Sequence, residues 1–193
     1  MQRSTLATFA ILAITAIWGS TFFIIKDAVG RIDAVDFLAF RFTIAAAITA
    51  AVFWRRLRGL SRRQWVIGLA LGLVFGLAQV AQTIGLQHTA ASVSGFITGT
   101  YVVIVPLIVW AAFRTKLSGW TWLAVVVAIA GLGVLSLTGA GSVGPGELLT
   151  LLGAALYALH IVLLDRWSRE MDSLALTAVQ MFGIAATVVV LGA

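Results

Sequence analysis

Polar residues in this chain fall in short clusters, and between the clusters run long stretches with almost none. Seven apolar runs result: Leu6–Ile25, Val35–Phe53, Trp65–Leu86, Ala91–Phe113, Trp120–Leu137, Leu148–Leu164 and Leu174–Leu191. A helix needs about 20 mostly apolar residues to cross the hydrocarbon of a bilayer, and each run is long enough, the shortest with little tilt. None alternates apolar and polar positions in the manner of a barrel strand. Backbone polar groups have no water to bond inside lipid, so helices are the expected form. The first run resembles a secretory leader in position only. It is longer than a leader's apolar core, and six more runs follow, so it is read as a retained span. The pattern predicts an all-α, polytopic membrane protein with about seven transmembrane helices.

Composition agrees. Of 193 residues, 61% are hydrophobic and 10% charged, against about half apolar and a quarter charged in a soluble domain. There is no cysteine, which excludes a disulfide framework and a thiolate metal site. His88 and His160 stand far from each other and from carboxylates, so no metal or other cofactor is expected.

The net charge of +6 acquires meaning from its distribution. With the N-terminus inside, the inner side carries Arg3, the five arginines of Arg55–Arg63, Arg114, Lys116, Arg166 and Arg169, while the outer side carries Lys26 and Arg31. That asymmetry in short loops predicts a cytoplasmic N-terminus and places the protein in the cell (inner) membrane. The arginine stretch is then a topology signal that also meets anionic headgroups. Nucleic acid is not an expected partner, because no folded platform surrounds the stretch.

Several spans carry small residues four apart: Gly68, Gly72 and Gly76 on the third, Gly95 and Gly99 on the fourth. This spacing lets helix backbones approach closely, and glycine lining a substrate path is the other reading. Pro106 removes one backbone bond from the fourth span and predicts a kink.

Three stretches together carry a family likeness: "AIWGSTFFIIKDAV" in the first span, "FLAFRFTIAA" in the second, and "ASVSGFITGTYVVIVPLIVWAAFRTKLSGWTWLAVVVAIAGLGVLSL" across the fourth and fifth. The Trp-Gly-Ser step, the arginine of span two, the late proline of span four and the Ala-Gly-Leu-Gly-Val of span five resemble the EamA domain of the drug/metabolite transporter superfamily. One departure is visible. Members often carry Gly-Glu-Arg after span four, where this chain has Arg114, Thr115 and Lys116, so any role of that glutamate is absent.

The resemblance implies ten helices in two inverted five-helix repeats, and transport of amino acids, related metabolites or drugs. On that template, residues 1–139 form a first repeat of five helices, and 140–193 the first two helices of an incomplete second one. A shift of 139 residues places Trp18 on Tyr157, Thr21 on His160, Asp33 on Asp172 and Arg41 on Gln180. Identities at this offset are near background, and the matching of loops and polar positions carries the comparison. An odd number of spans per repeat inverts the second copy. Spans six and seven then lack their repeat partners. They are expected to be poorly held, with Tyr157, His160 and Gln180 facing lipid or a half-open groove. The chain alone is expected to insert without transporting, unless a homodimer or another partner supplies the remaining helices.

Polar and aromatic residues inside the spans fall in pairs three apart: Trp18/Thr21, Gln79/Gln82, Thr98/Tyr101 and Tyr157/His160. Each pair shares a helix face and lies between mid-depth and the outer half of its span. With Arg41 and Gln180 they make a candidate site for a small-molecule substrate, in which amides and hydroxyls orient it and aromatic rings wall it. Interhelical hydrogen bonding is the plain alternative for each pair.

Arg41 lies about six residues from the outer end of its span. It either snorkels outward to Asp27, Asp33 or Asp36, or meets an anionic substrate. All seven carboxylates (Asp27, Asp33, Asp36, Glu147, Asp165, Glu170 and Asp172) sit at loops or span ends. That leaves His160 as the one group inside a span that titrates near neutrality, or a packing residue.

Two other function classes are compatible with a chain of this composition. "SVSGF" with His160 faintly resembles the serine–histidine dyad of rhomboid proteases, with Ser94 as nucleophile. Ser94 lies about 5 Å below the outer end of its span and His160 about 18 Å below its own, which a dyad does not tolerate. An enzyme is therefore not expected. A non-transporting accessory membrane protein is the remaining class.

Overall fold

The computed structural model describes residues 2–139, 144–169 and 171–192. Glu170 lies outside the described residues, as does the side chain of Arg3. Among the described residues the chain is helical and has no strand. The helices are α1 (Gln2–Val29), α2 (Ala34–Leu57), α3 (Arg62–His88), α4 (Ala91–Gly99), α5 (Tyr101–Phe113), α6 (Gly119–Gly139), α7 (Pro145–Trp167) and α8 (Ser173–Gly192). Each predicted run appears as one rod, except that the fourth is divided into α4 and α5. Six rods are long and apolar enough to cross a membrane, α4 and α5 counting together as Ala91–Phe113; in α6 the corresponding apolar stretch is Gly119–Gly131. The chain is a polytopic membrane protein.

The basic stretch is more ordered than a free loop. Arg55 and Arg56 complete the last turn of α2, where cations complement the helix dipole. Ser61 then starts α3 with a capping box: its Oγ accepts from Gln64 N, and Gln64 Oε1 accepts from Ser61 N at 2.8 Å. Arg58 stacks on the Trp54 ring, 4.3 Å from its centroid. Arg56 pairs with Asp172 at the start of α8.

α5 runs through Pro106, and the break in the span lies six residues before it. The helix is interrupted at Thr100, whose N–H bonds to Ile97 O at 3.1 Å, as in a 3₁₀ turn, and whose hydroxyl donates to the same oxygen at 2.6 Å. A hydroxyl competing for the carbonyl, next to Gly99, loosens the helix here before the proline acts.

α3 is the central strut. Its glycine stripe seats α8: a Cβ at Gly72 would stand 2.5 Å from Gln180 O and 2.7 Å from Gly183 Cα, and one at Gly68 would stand 2.5 Å from Val179 Cγ1. On another face Gly85 meets α7, where an added Cβ would stand 2.6 Å from Gly146 O. Without a hydrophobic drive in lipid, such close approach is what holds helices together. Leu38 and Phe42 of α2 complete a buried cluster with Ile184 and Val188 of α8. Gly95 faces Phe22 at 3.9 Å, but Gly99 has nothing within 4 Å and is no packing notch.

This packing corrects one expectation. The sixth and seventh spans are α7 and α8, and they are among the best-buried helices, not the loosest. Tyr157 is 9% exposed and His160 6%; Gln180 is half-buried. The reason is local. The grooves that receive α7 and α8 are cut into α3 by small residues. The exposed rods are α1 and α6, whose large apolar side chains (Phe9, Ile14, Phe23, Trp120, Ile129) face outward.

Candidate functional site

Between α1, α3, α5 and α7 lies a cavity of about 220 Å³, lined by Trp18, Phe75, Gln79, Tyr101, Tyr157, His160 and Ile161. A smaller void of about 20 Å³ adjoins it, lined by Arg41, Thr21, Gln82 and Thr83 together with the shared Trp18 and Gln79. Eight of the ten sequence-predicted residues thus line one pair of voids. The other two are one hydrogen bond away. Gln82 Nε2 donates to Thr98 Oγ1 at 2.8 Å, and His160 Nε2 bonds to Gln180 Oε1 at 2.7 Å. An amide oxygen only accepts, so in this contact Nε2 carries the proton.

The walls are mutually braced. Tyr157 Oη donates to Gln82 Oε1 at 2.8 Å, so Tyr157, Gln82 and Thr98 form one chain across α7, α3 and α4. Phe75 packs edge-on against Tyr157 and His160, with centroids 5.3 and 5.0 Å apart, and Trp18 stands edge-on to Tyr101 at 6.4 Å. Thr21 Oγ1 donates back to Trp18 O at 2.6 Å, so its hydroxyl proton is committed to its own helix. Gln79, half-buried between the two voids, makes no hydrogen bond among the described residues and presents a free amide.

Arg41 does not reach the acidic residues expected to hold it. Asp27 pairs with Arg31 at 3.1 Å, and the Asp33 carboxylate caps α2 by accepting from Val35 N at 2.7 Å. Asp36 is five residues away, about 140° round the helix. Among the described residues Arg41 has no ion pair; its guanidinium lies 5.2 Å from the centroid of the neighbouring Phe42 ring.

The two ends of the cavity differ. Toward the Lys26 end the helices are tied together. Lys26 Nζ donates to Leu86 O and Gln87 O at 2.7 and 2.9 Å, capping α3, and Gln87 Nε2 donates to Val29 O at 3.0 Å. Thr89 donates to Glu147, which also accepts from Gly144 N at 2.9 Å. Toward the Arg166 end, Ile161 lines both the cavity and a cleft of about 750 Å³ between α5 and α7. Arg166 lies over the Phe113 ring there, at 4.8 Å.

Comparison with known proteins decides the family. The sequence pattern of the EamA-like transporter family matches residues 5–137, more than half of the chain. The chain belongs to the EamA-like transporter family. It is also 30% identical over 178 residues to an uncharacterized transporter of Archaeoglobus fulgidus, covering 92% of this chain and 55% of that relative. The chain therefore spans about half the length of the relative it matches. No solved structure matches it.

Within this EamA-like chain, Ser94 and His160 do not form a dyad. Among the described residues Ser94 Oγ is buried without a hydrogen-bond partner, and His160 is bonded to Gln180. Among the described residues no cluster of His, Asp or Glu is arranged to hold a metal ion. Phe75 is a wall residue that the pairs three apart did not include. It precedes Gln79 by four and Gln82 by seven, which puts all three on one face of α3; that spacing was the signal for it. Lys26 and Glu147 were read as loop-end charges, and their partners, backbone carbonyls and a threonine, leave no mark in sequence.

Proposed function

We propose that this EamA-like chain carries small organic metabolites across the cell membrane by alternating access, with its N-terminus cytoplasmic. The observation that carries the reading is the convergence of the mid-span polar and aromatic residues on one cavity. Convergent polar groups near mid-depth between packed helices are where transporters of this architecture hold substrate. Gln79 and Tyr101 contact the substrate, and the Tyr157–Gln82–Thr98 chain sets the shape of the site. The cavity is smaller than the 300–1,000 Å³ usual for drug-sized ligands, which favours a metabolite. The tied Lys26 end is read as the outer gate and the Arg166 cleft as the inner opening, an inward-facing arrangement. Residues 1–139 and 140–193 are read as one repeat and the start of its inverted copy. In support, Asp33 and Asp172, equivalent at the 139-residue offset, cap α2 and α8 alike, accepting from Val35 N and Leu174 N.

Orientation is tested in this cysteine-free chain with Gly59→Cys and Ile32→Cys. An impermeant thiol reagent added to intact cells labels position 32 and spares 59; the reverse overturns the orientation. Function is tested by uptake of radiolabelled L-amino acids and aromatic organic acids into proteoliposomes of the purified chain, with and without crosslinking. Saturable uptake by the monomer shows that these spans suffice, and uptake by the dimer alone assigns the remaining wall to a second copy. Gln82→Leu and Tyr101→Ala are expected to lower the rate at least tenfold at unchanged protein level. Absence of uptake in every case, or full rates in both variants, overturns the reading.

A further inference from the structure

The geometry points to a single-charged organic anion with an apolar or aromatic body as the ligand of the central cavity, its carboxylate held by Arg41 beside Gln79. The inference rests on the cavity of the preceding section and names what the cavity selects.

Charge carries the argument. An arginine within a span is costly to insert, and such residues ordinarily acquire a partner. Arg41 has none among the described residues, although three aspartates lie within fourteen positions of it. Each is engaged or turned elsewhere: Asp27 by Arg31, Asp33 by the start of α2, Asp36 by its angle on the helix. Arg41, an exposed residue, instead borders the void that it shares with Thr21, Gln79 and Gln82. Its planar fork suits a carboxylate, which it can hold through two parallel bonds.

The cavity offers nothing of the opposite sign. Among the described residues no carboxylate lines either void. Glu147, Asp165 and Asp172 are committed to Thr89, Arg169 and Arg56. An ammonium group would enter beside a guanidinium with no counter-charge, so a cation is disfavoured outright and a zwitterion gains on one end what it loses on the other. One guanidinium also balances one negative charge, which favours a monocarboxylate over a dianion. The remaining wall is aromatic and apolar: Trp18, Phe75, Tyr101, Tyr157 and Ile161. It receives the body of the ligand through ring contacts.

Three probes with the same phenyl body separate the possibilities: 3-phenylpropanoate (anion), L-phenylalanine (zwitterion) and 2-phenylethylammonium (cation). Equilibrium binding to the purified full chain in nanodiscs is measured by scintillation proximity, with labelled 3-phenylpropanoate and the other two as competitors and as labelled ligands. The anion is expected to bind at least tenfold tighter than either. Arg41→Gln loses at least tenfold for the anion and little for the others, while Arg41→Lys, which keeps the charge without the fork, loses less. The ranking of probes on the unsubstituted chain stands even if Arg41→Gln fails to fold. Equal or tighter binding of the zwitterion or cation, undiminished anion binding by a folded Arg41→Gln, or no binding of any probe overturns the proposal. Anion binding without flux in proteoliposomes would sink the transport reading and leave this site standing; flux confined to the zwitterion or cation would do the reverse.

Discussion

The Arg41 corner and the Gln180 corner of the molecule occupy matching places. Each residue is the eighth of its helix, α2 or α8, roughly 10 Å from the helix start. Each lies near the residue that the 139-residue offset pairs with the other's neighbour: Thr21 shares a void with Arg41, and His160 bonds to Gln180. Yet the two corners are in opposite states. At Gln180 the polar groups satisfy each other, and the helices around them are clamped by glycine notches. At Arg41 the hydroxyl of Thr21 turns back to its own helix and the guanidinium is left without an ion pair. Similar frames can hold a finished polar contact or an unfinished one. The unfinished one belongs beside a ligand, because a permanent partner would have removed the charge that recognises it.

The sharpest way to break the comparison is to attack the clamp. Gly72→Ala is expected to cost about 3 kcal/mol, the upper end for overpacking, because the new methyl meets backbone atoms of α8 that no side-chain motion can clear. Loss of monodisperse protein on size-exclusion chromatography is the readout. Gly99→Ala, with open space around it, should be neutral or stabilising by up to about 1 kcal/mol, from helix propensity. Equal tolerance at both sites would remove α3 from its central role.

A smaller effect separates the two aromatic counterparts. Tyr157→Phe breaks the bond to Gln82 and should lower stability by about 0.6–1.7 kcal/mol, whereas Trp18→Phe, which breaks no hydrogen bond of this kind, should stay within about 0.5 kcal/mol. Thermal unfolding of both variants in detergent decides it. Equal shifts would mean that the Tyr157–Gln82–Thr98 chain is no brace.

The smallest effect concerns the start of α8. The Ala175 N–H, aided by the Arg56 guanidinium and the Leu174 N–H, holds the Asp172 carboxyl below the usual carboxylate range. A lowered folded-state value means that the stabilisation is complete above the ordinary aspartate pKa of about 3.9 and fades as pH falls through the lowered value. Asp172→Asn should therefore melt lower than the unsubstituted chain at pH 7, with the difference shrinking toward pH 3. A constant difference over that interval would put the effect down to shape rather than charge.

Much of the fold was legible because lipid imposes length and apolarity on every span, and polar clusters mark the ends within a few residues. The glycine stripe on the third span announced a tight contact but not its partner, since spacing says nothing about which helix arrives. Proline is the louder signal in sequence, yet the break in the fourth span lies at Thr100, whose hydroxyl and N–H both bond to Ile97 O. The cavity wall was legible from pairs three apart, yet Phe75 was passed over among leucines, glycines and valines. The neutrality of Asp27 and Asp33 toward Arg41 was not legible at all. Charges near in sequence look like partners until helix angle and end-capping separate them.

The groove that α3 offers to α8 has a consequence in time. Asp172, at the start of α8, and Arg56, at the end of α2, are 116 residues apart. At about 5–20 residues per second of synthesis, some 6 to 23 seconds separate the end of α2 from the start of α8. For most of that interval α3 is made and α8 is not, so the notched faces of Gly68, Gly72 and Gly76 lack the helix that fills them. Any slowing of translation over α6 and α7 prolongs the period in which two nascent copies can pair through their notches instead.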